Sequence, residues 1–199
     1  LVFLGCKNGK TYLFNHRDGK LIQSFDQHKF PISSVAFDSK GAHFASAGLD
    51  GKINLYRKKD FSLLWSFEGT VHGTNPDQLE FSKNSPQVMA SGKGSPPVVI
   101  DVPTGKSVKA LGKEIVNHVA SHFHPNGNAV VSITENGLLV FTQIKSGIVY
   151  NLIRLNINSV QGFSFSKYGD RIIVFNDEGT CSIRGFKSKG TIIVQSPDK

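Results

Sequence analysis

Two cysteines, one methionine and one tryptophan in 199 residues are the scarcest features of the sequence. Cys6 and Cys181 stand 175 positions apart. They do not make the disulfide framework that staples small secreted domains, and a reducing compartment fits better. Long apolar runs are also missing. Gly137-Leu138-Leu139-Val140-Phe141 is among the longest, against the roughly 20 residues a membrane-spanning helix needs, so a helical membrane protein is excluded. No basic, apolar-cored leader opens the chain at Leu1, and the expectation is an intracellular piece of a longer protein. No stretch shows a helical period. Charged residues make up only 19% and apolar residues 39%, a balance that favours a packed core over disorder. Paired carboxylates, a reactive cysteine and a dinucleotide fingerprint are all lacking. Gly92-Lys93-Gly94 and Thr104-Gly105-Lys106-Ser107 are fragments of a phosphate loop without its full spacing or its following helix. Neither an enzyme nor a cofactor nor a small-molecule substrate is expected.

What the chain does have is a repeat, and a period of 20–50 residues decides a fold. Phe37, Phe81, Phe123 and Phe165 fall 44, 42 and 42 apart. Gly9, Gly51, Gly94, Gly137 and Gly179 step by 42, 43, 43 and 42, four of them in the turn pairs Asn8-Gly9, Asp50-Gly51, Asn136-Gly137 and Glu178-Gly179. Gly41, Gly127 and Gly169 form a third series.

Residues 32 to 67 show one unit. Ile32 to Phe37 ends at the turn Asp38-Ser39-Lys40-Gly41, and His43 to Ala47 reads as a strand buried on both faces. Asp50-Gly51 is a two-residue hairpin signal, since both central residues of that turn need positive φ. Lys52 to Tyr56 alternates with period two, and a charged turn leads to Leu63-Leu64-Trp65-Ser66-Phe67. The unit is therefore four antiparallel strands, and the chain is all-β. Full units are expected at roughly 32–67, 77–111, 118–153 and 160–195, with three strands of another in 1–25.

Four-stranded units of this length resemble the WD-repeat β-propeller family. Ile100-Asp101 followed by Thr104-Gly105-Lys106 is similar to the family's Trp-Asp dipeptide and its turn, Phe123-His124-Pro125-Asn126-Gly127 to its inner turn, and Gln27-His28 to its Gly-His pair. The Trp-Asp slots read Phe14-Asn15, Tyr56-Arg57, Ile100-Asp101, Phe141-Thr142 and Ile183-Arg184, so the repeats are degenerate. The resemblance implies one partial propeller domain over 1–199, four blades and part of a fifth out of a customary seven. It also implies a structural tetrad of His28, Ser46, Asp50 and Tyr56, with His28 bridging the Asp50 carboxylate and the Ser46 hydroxyl. A hydrolase reading of Ser, His and Asp is disfavoured because Ser46 lies in a buried strand, whereas a nucleophile needs exposure and an oxyanion hole. His118, His122 and His124 share one face of an ideal strand, but no Cys or carboxylate lies close in sequence, and no metal is expected.

Propellers of this family present loops to protein partners, which implies a non-enzymatic scaffold within a multiprotein complex. The contact face would gather Gln27, His28, Lys29 and Phe30, the irregular loop 68–76 with Val71 and His72, residues 112–117, and the turns at Asn8, Asp50, Lys93 and Asn136. The opposite face would collect the basic turn residues Arg17, Lys20, Lys40, Arg57, Lys58, Lys59, Lys83, Lys106, Lys145, Lys167, Lys187 and Lys189 against Asp18, Asp38, Asp60, Asp101 and Asp170. Twelve cations less five acids is +7 of the total +8. Such a face suits RNA or an acidic protein surface, and so the alternative is an RNA-associated subunit of an RNA-processing or ribosome-assembly complex. Eighteen of the 23 basic residues are Lys, solvated point charges rather than bidentate phosphate forks. The basic balance leans towards the nucleus.

Overall fold

The computed structural model describes residues 1–68, 76–111, 117–186 and 191–195. Among the described residues it contains nineteen strands and no helix. The first sheet holds β1 (Val2–Gly5), β2 (Thr11–Phe14) and β3 (Leu21–Phe25). The second holds β4 (Ile32–Phe37), β5 (His43–Gly48), β6 (Lys52–Arg57) and β7 (Leu63–Glu68). The third runs β8 (Gln78–Phe81), β9 (Gln87–Gly92), β10 (Ser95–Asp101), β11 (Ser107–Ala110). The fourth runs β12 (His118–Phe123), β13 (Ala129–Thr134), β14 (Leu138–Gln143), β15 (Val149–Arg154). The fifth runs β16 (Val160–Phe165), β17 (Arg171–Asn176), β18 (Thr180–Gly185), β19 (Thr191–Gln195). Each sheet is an antiparallel meander in chain order, the form of a propeller blade.

The glycine series mark the turns. Gly9, Gly51, Gly94, Gly137 and Gly179 all have φ between 76° and 85°, and Gly41, Gly127 and Gly169 between 67° and 79°, a region a Cβ disfavours. A second recurrence was not visible in the letters. Lys58 N donates to Ala42 O, Val102 N to Pro86 O, Ile144 N to Asn128 O and Phe186 N to Asp170 O, at 2.9, 2.9, 3.1 and 2.9 Å. In each four-stranded sheet the bond ties the turn after the first strand to the turn after the third, so both lie at one end of the sheet.

The core sits between sheets, which is why the middle strands are apolar on both faces. On β6, Leu55 and Ile53 face the third sheet with Ala45, meeting Leu79, Val88 and Ile100. Tyr56 and Phe44 face the first sheet, stacked at 5.0 Å, with Phe3 4.8 Å from Phe44 and Phe25 4.6 Å from Tyr56. Met89 and Val99 meet Phe123 and Val130 between the third and fourth sheets. Val131, Ile133 and Phe141 meet Phe163, Ile172 and Val174 between the fourth and fifth. Each such fully buried side chain contributes about 1.5–3 kcal/mol from desolvation.

Two expectations of strand phase are corrected. Tyr56 stands opposite Leu63 and Phe44. The residues at that register in the last two sheets are Thr142, opposite Val149, and Arg184, opposite Ile172, not Phe141 and Ile183. A slip of one residue reverses the face, so Phe141 belongs to the core towards the next sheet. A bulge between His118 and Ala120 likewise takes His118 out of phase with His122. The three histidines do not share a face.

Candidate binding surfaces

At the end carrying the second-to-third strand turns, a buried polar cluster fixes the backbone. His28, in the connection between β3 and β4, is 4% exposed. Its Nδ1 lies 3.0 Å from Asp50 Oδ1, and its Nε2 lies 2.8 Å from Ser46 Oγ and 2.9 Å from Asn54 Nδ2. A carboxylate only accepts, so Nδ1 carries the hydrogen, and Nε2 accepts from the Ser46 hydroxyl and the Asn54 amide. Asp50 also accepts from the backbone N–H of Lys29 at 3.0 Å and of Lys52 at 3.1 Å. Burial works to raise the Asp50 carboxyl, but the hydrogen bonds from His28, Lys29 and Lys52 outweigh it and hold the group below its ordinary value.

Tyr56 lies beneath this cluster, its phenol raised by burial while Ser46, Asn54 and Thr11 pull it the other way. The Ser46–His28–Asp50 distances are those of a catalytic triad, yet Ser46 has no exposed surface at all. No substrate reaches its hydroxyl, and the arrangement is a strut.

Two members of this cluster escaped the sequence reading. Asn54 reads as an alternating polar position of β6, although an amide at an inward phase of a buried strand is the available signal. Gly48 has no signal in the letters, because its role is spatial. A Cβ there would lie 2.5 Å from His28 Nδ1 and 2.8 Å from Asp50 Oδ1.

Around the strut, Gln27, Lys29 and Phe30 are exposed, Phe30 to 57%. Lys93 and Asn136 stand exposed at the corresponding turns of the third and fourth sheets. The structure gives these five residues one end of the sheets and no bond to one another among the described residues. Val71 and His72, with most of the loop 68–76, lie outside the described residues, as does 112–116.

The opposite end carries the basic turns. Arg17, Lys20, Lys40, Arg57, Lys58, Lys59, Lys83, Lys106, Lys145 and Lys167 are all exposed there, while Lys187 and Lys189 lie outside the described residues. The acids of this end are engaged locally. Asp38 accepts from Lys40 N, Asp101 from the Thr104 hydroxyl and N–H, and Asp170 from the Ser166 hydroxyl. Among the described residues, Arg57 alone of these ten cations pairs with a carboxylate, Asp60 at 3.3 Å. The lysines point their charge at solvent.

His122 bonds Glu80 at 3.0 Å, and His124 packs edge-on to Phe165 at 5.1 Å. Among the described residues no three of His, Cys, Asp and Glu are grouped to hold a metal ion.

Residues 19–57 match the family model described as WD domain, G-beta repeat. That stretch runs from β3 through β6 and contains His28, Ser46, Asp50 and Tyr56. The chain is 24% identical over 174 residues to U3 small nucleolar RNA-associated protein 21 of Saccharomyces cerevisiae, a match covering 84% of this chain and 18% of that protein. It is 30% identical over 67 residues to DmX-like protein 1 of Mus musculus, covering 34% of this chain and 2% of that one. The chain thus spans less than a fifth of the length of either relative.

Proposed function

The chain belongs to the WD-repeat family, and from that premise we propose that it is a non-enzymatic scaffold presenting the Gln27–Phe30 end of its sheets to other proteins of a complex. The observation that carries this is the His28 strut. It spends buried hydrogen bonds on holding the Gln27–Phe30 connection against the Asp50 turn, which sets the exposed Phe30 on an ordered backbone. An aromatic ring on a fixed loop is the kind of side chain that anchors protein interfaces. Lys93, Asn136, Val71 and His72 would complete the surface. Phe30→Ala should remove partners recovered by affinity purification of the full-length protein, at low and high salt alike. Unchanged recovery would count against this end as the contact face.

A second reading is favoured by the name of the yeast relative, which is RNA-associated, and by the exposed cations of the other end, of which all but Arg57 lack a carboxylate partner among the described residues. In it the basic turns contact RNA phosphates in an RNA-processing assembly, in the nucleus. Binding would weaken by about 0.9 log unit per log unit of salt for each duplex phosphate neutralised. Reversing Arg57, Lys58 and Lys59 to Glu should abolish it, and an RNA affinity untouched by that change ends the idea.

A further inference from the structure

The groove between the second and third sheets is closed by Trp65. It stands opposite Leu55, donates its Nε1 hydrogen to Val102 O at 2.8 Å, and lies on Gly105, where a Cβ would come within 2.8 Å of the ring. The residue at the same register of the fourth sheet is Asn151, opposite Phe141. There a cavity of about 550 Å³ opens between the fourth and fifth sheets, lined by Phe141, Tyr150, Asn151, Tyr168, Phe186 and His124. A second cavity of about 460 Å³ shares His124 and reaches the turns that carry Lys83 and Lys167.

We propose that these two adjoining cavities bind single-stranded nucleic acid, with a base stacked on Tyr150 and Tyr168 and the backbone phosphates on Lys167 and Lys83. The site rests on the second reading above. Tyr168 is 76% exposed and Tyr150 57%, so each offers a free ring face, and such faces are what base stacking uses without regard to sequence. Lys167 Nζ lies 5.3 Å from the Tyr168 ring centre, which sets a cation at the rim where the backbone would pass. The Asn151 amide supplies both a donor and acceptors to a base edge.

Both carboxylates at the cavities have partners in the protein, Asp170 also lying 4.0 Å from Arg171 Nε. Glu80 accepts from His122 Nδ1 and from Phe123 N, and Asp170 accepts from the Ser166 hydroxyl. The rim carries Lys83, Asn84 and Lys167, two cations and an amide suited to phosphate oxygens.

The test is fluorescence anisotropy of a labelled oligouridine with the full-length protein, beside an oligodeoxythymidine that tells RNA from DNA as the strand. Tyr150→Ala and Tyr168→Ala should each weaken binding about 5- to 150-fold, the equivalent of losing one stacked base. The Tyr→Phe variants should retain it. Asn151→Trp should block binding with both tyrosines present, by filling the groove as Trp65 fills its own. Lys83→Gln and Lys167→Gln should each flatten the salt slope by about 0.7. Binding lost on reversing Arg57, Lys58 and Lys59 but unmoved by the tyrosine and Asn151→Trp changes overturns this site and leaves the basic-turn reading standing. Absence of oligonucleotide binding by the unaltered protein overturns both.

Discussion

The second and fourth sheets are built on one plan, and two of the positions at which they differ matter most here, Trp65 against Asn151 and Asn54 against Val140. Both pairs share a register, 86 residues apart. In the second sheet the indole closes the groove to the next sheet, and Asn54 joins a buried network with His28, Ser46 and Asp50. In the fourth, Val140 is wholly buried, Ser132 bonds only across to Ser121 at 2.9 Å among the described residues, and Asn151 leaves a cavity. The same hydrogen-bonded frame therefore carries a four-membered polar strut in one blade and, in another, Val140 at the matching strand position beside a Ser121–Ser132 pair. The frame comes from backbone pairing and turns, while side chains at fixed registers decide what each groove does.

The largest break in this comparison should come from Trp65→Ala. It opens the filled groove and orphans Val102 O, at a cost of about 3 kcal/mol, whereas Asn151→Ala should change stability by less than about 0.5 kcal/mol. Urea unfolding of the pair would show the difference, and equal losses would remove the groove argument.

His28→Ala comes next. It strips Asp50, Ser46 and Asn54 of their shared partner in a buried site, and a loss of about 2–3 kcal/mol is expected. Ser132→Ala, which removes one neutral bond, should lose about 1 kcal/mol. Gly48→Ala tests the same strut without removing any of its polar atoms, since the added methyl collides with His28 Nδ1 and Asp50 Oδ1. About 1–3 kcal/mol is expected from overpacking.

The smallest effect is in pH. The Asp50 carboxyl sits below its ordinary value of 3.8 in the folded chain. Its contribution to stability is therefore complete above that pH and is lost as pH falls from there towards the folded value. Thermal unfolding followed across that acid range should lose stability less steeply in Asp50→Asn than in the unaltered protein. Parallel curves would mean the carboxylate contributes nothing there.

How much was legible follows from what each feature depends on. The turn glycines were readable because positive φ is a local demand that few residues meet, and it recurs at a fixed spacing. The His28, Ser46 and Asp50 contacts were readable only through the family resemblance, since the three lie in a connection, a strand and a turn. Phe141 and Ile183 take the wrong phase in the sequence because Phe-Thr and Ile-Arg resemble the family's dipeptide, whereas Thr142 and Arg184, like Tyr56, stand five residues past their hairpin glycines. The three histidines looked co-facial because an ideal strand was assumed, and a bulge at His118 is invisible to spacing. Asn151 and the cavity it leaves had no signal whatever, because emptiness is defined by Tyr168 and Phe186 on another sheet.

By itself, the sequence determined the strand content, the four-stranded period and the sign of charge at each kind of turn, since φ preference, alternation and charge are properties of residues and their neighbours. Only the tertiary structure decided which grooves are filled, which histidine is a strut and which tyrosines stand free. Those are relations between sheets, and a side chain that closes one interface leaves the next one open when a single register position changes from Trp to Asn.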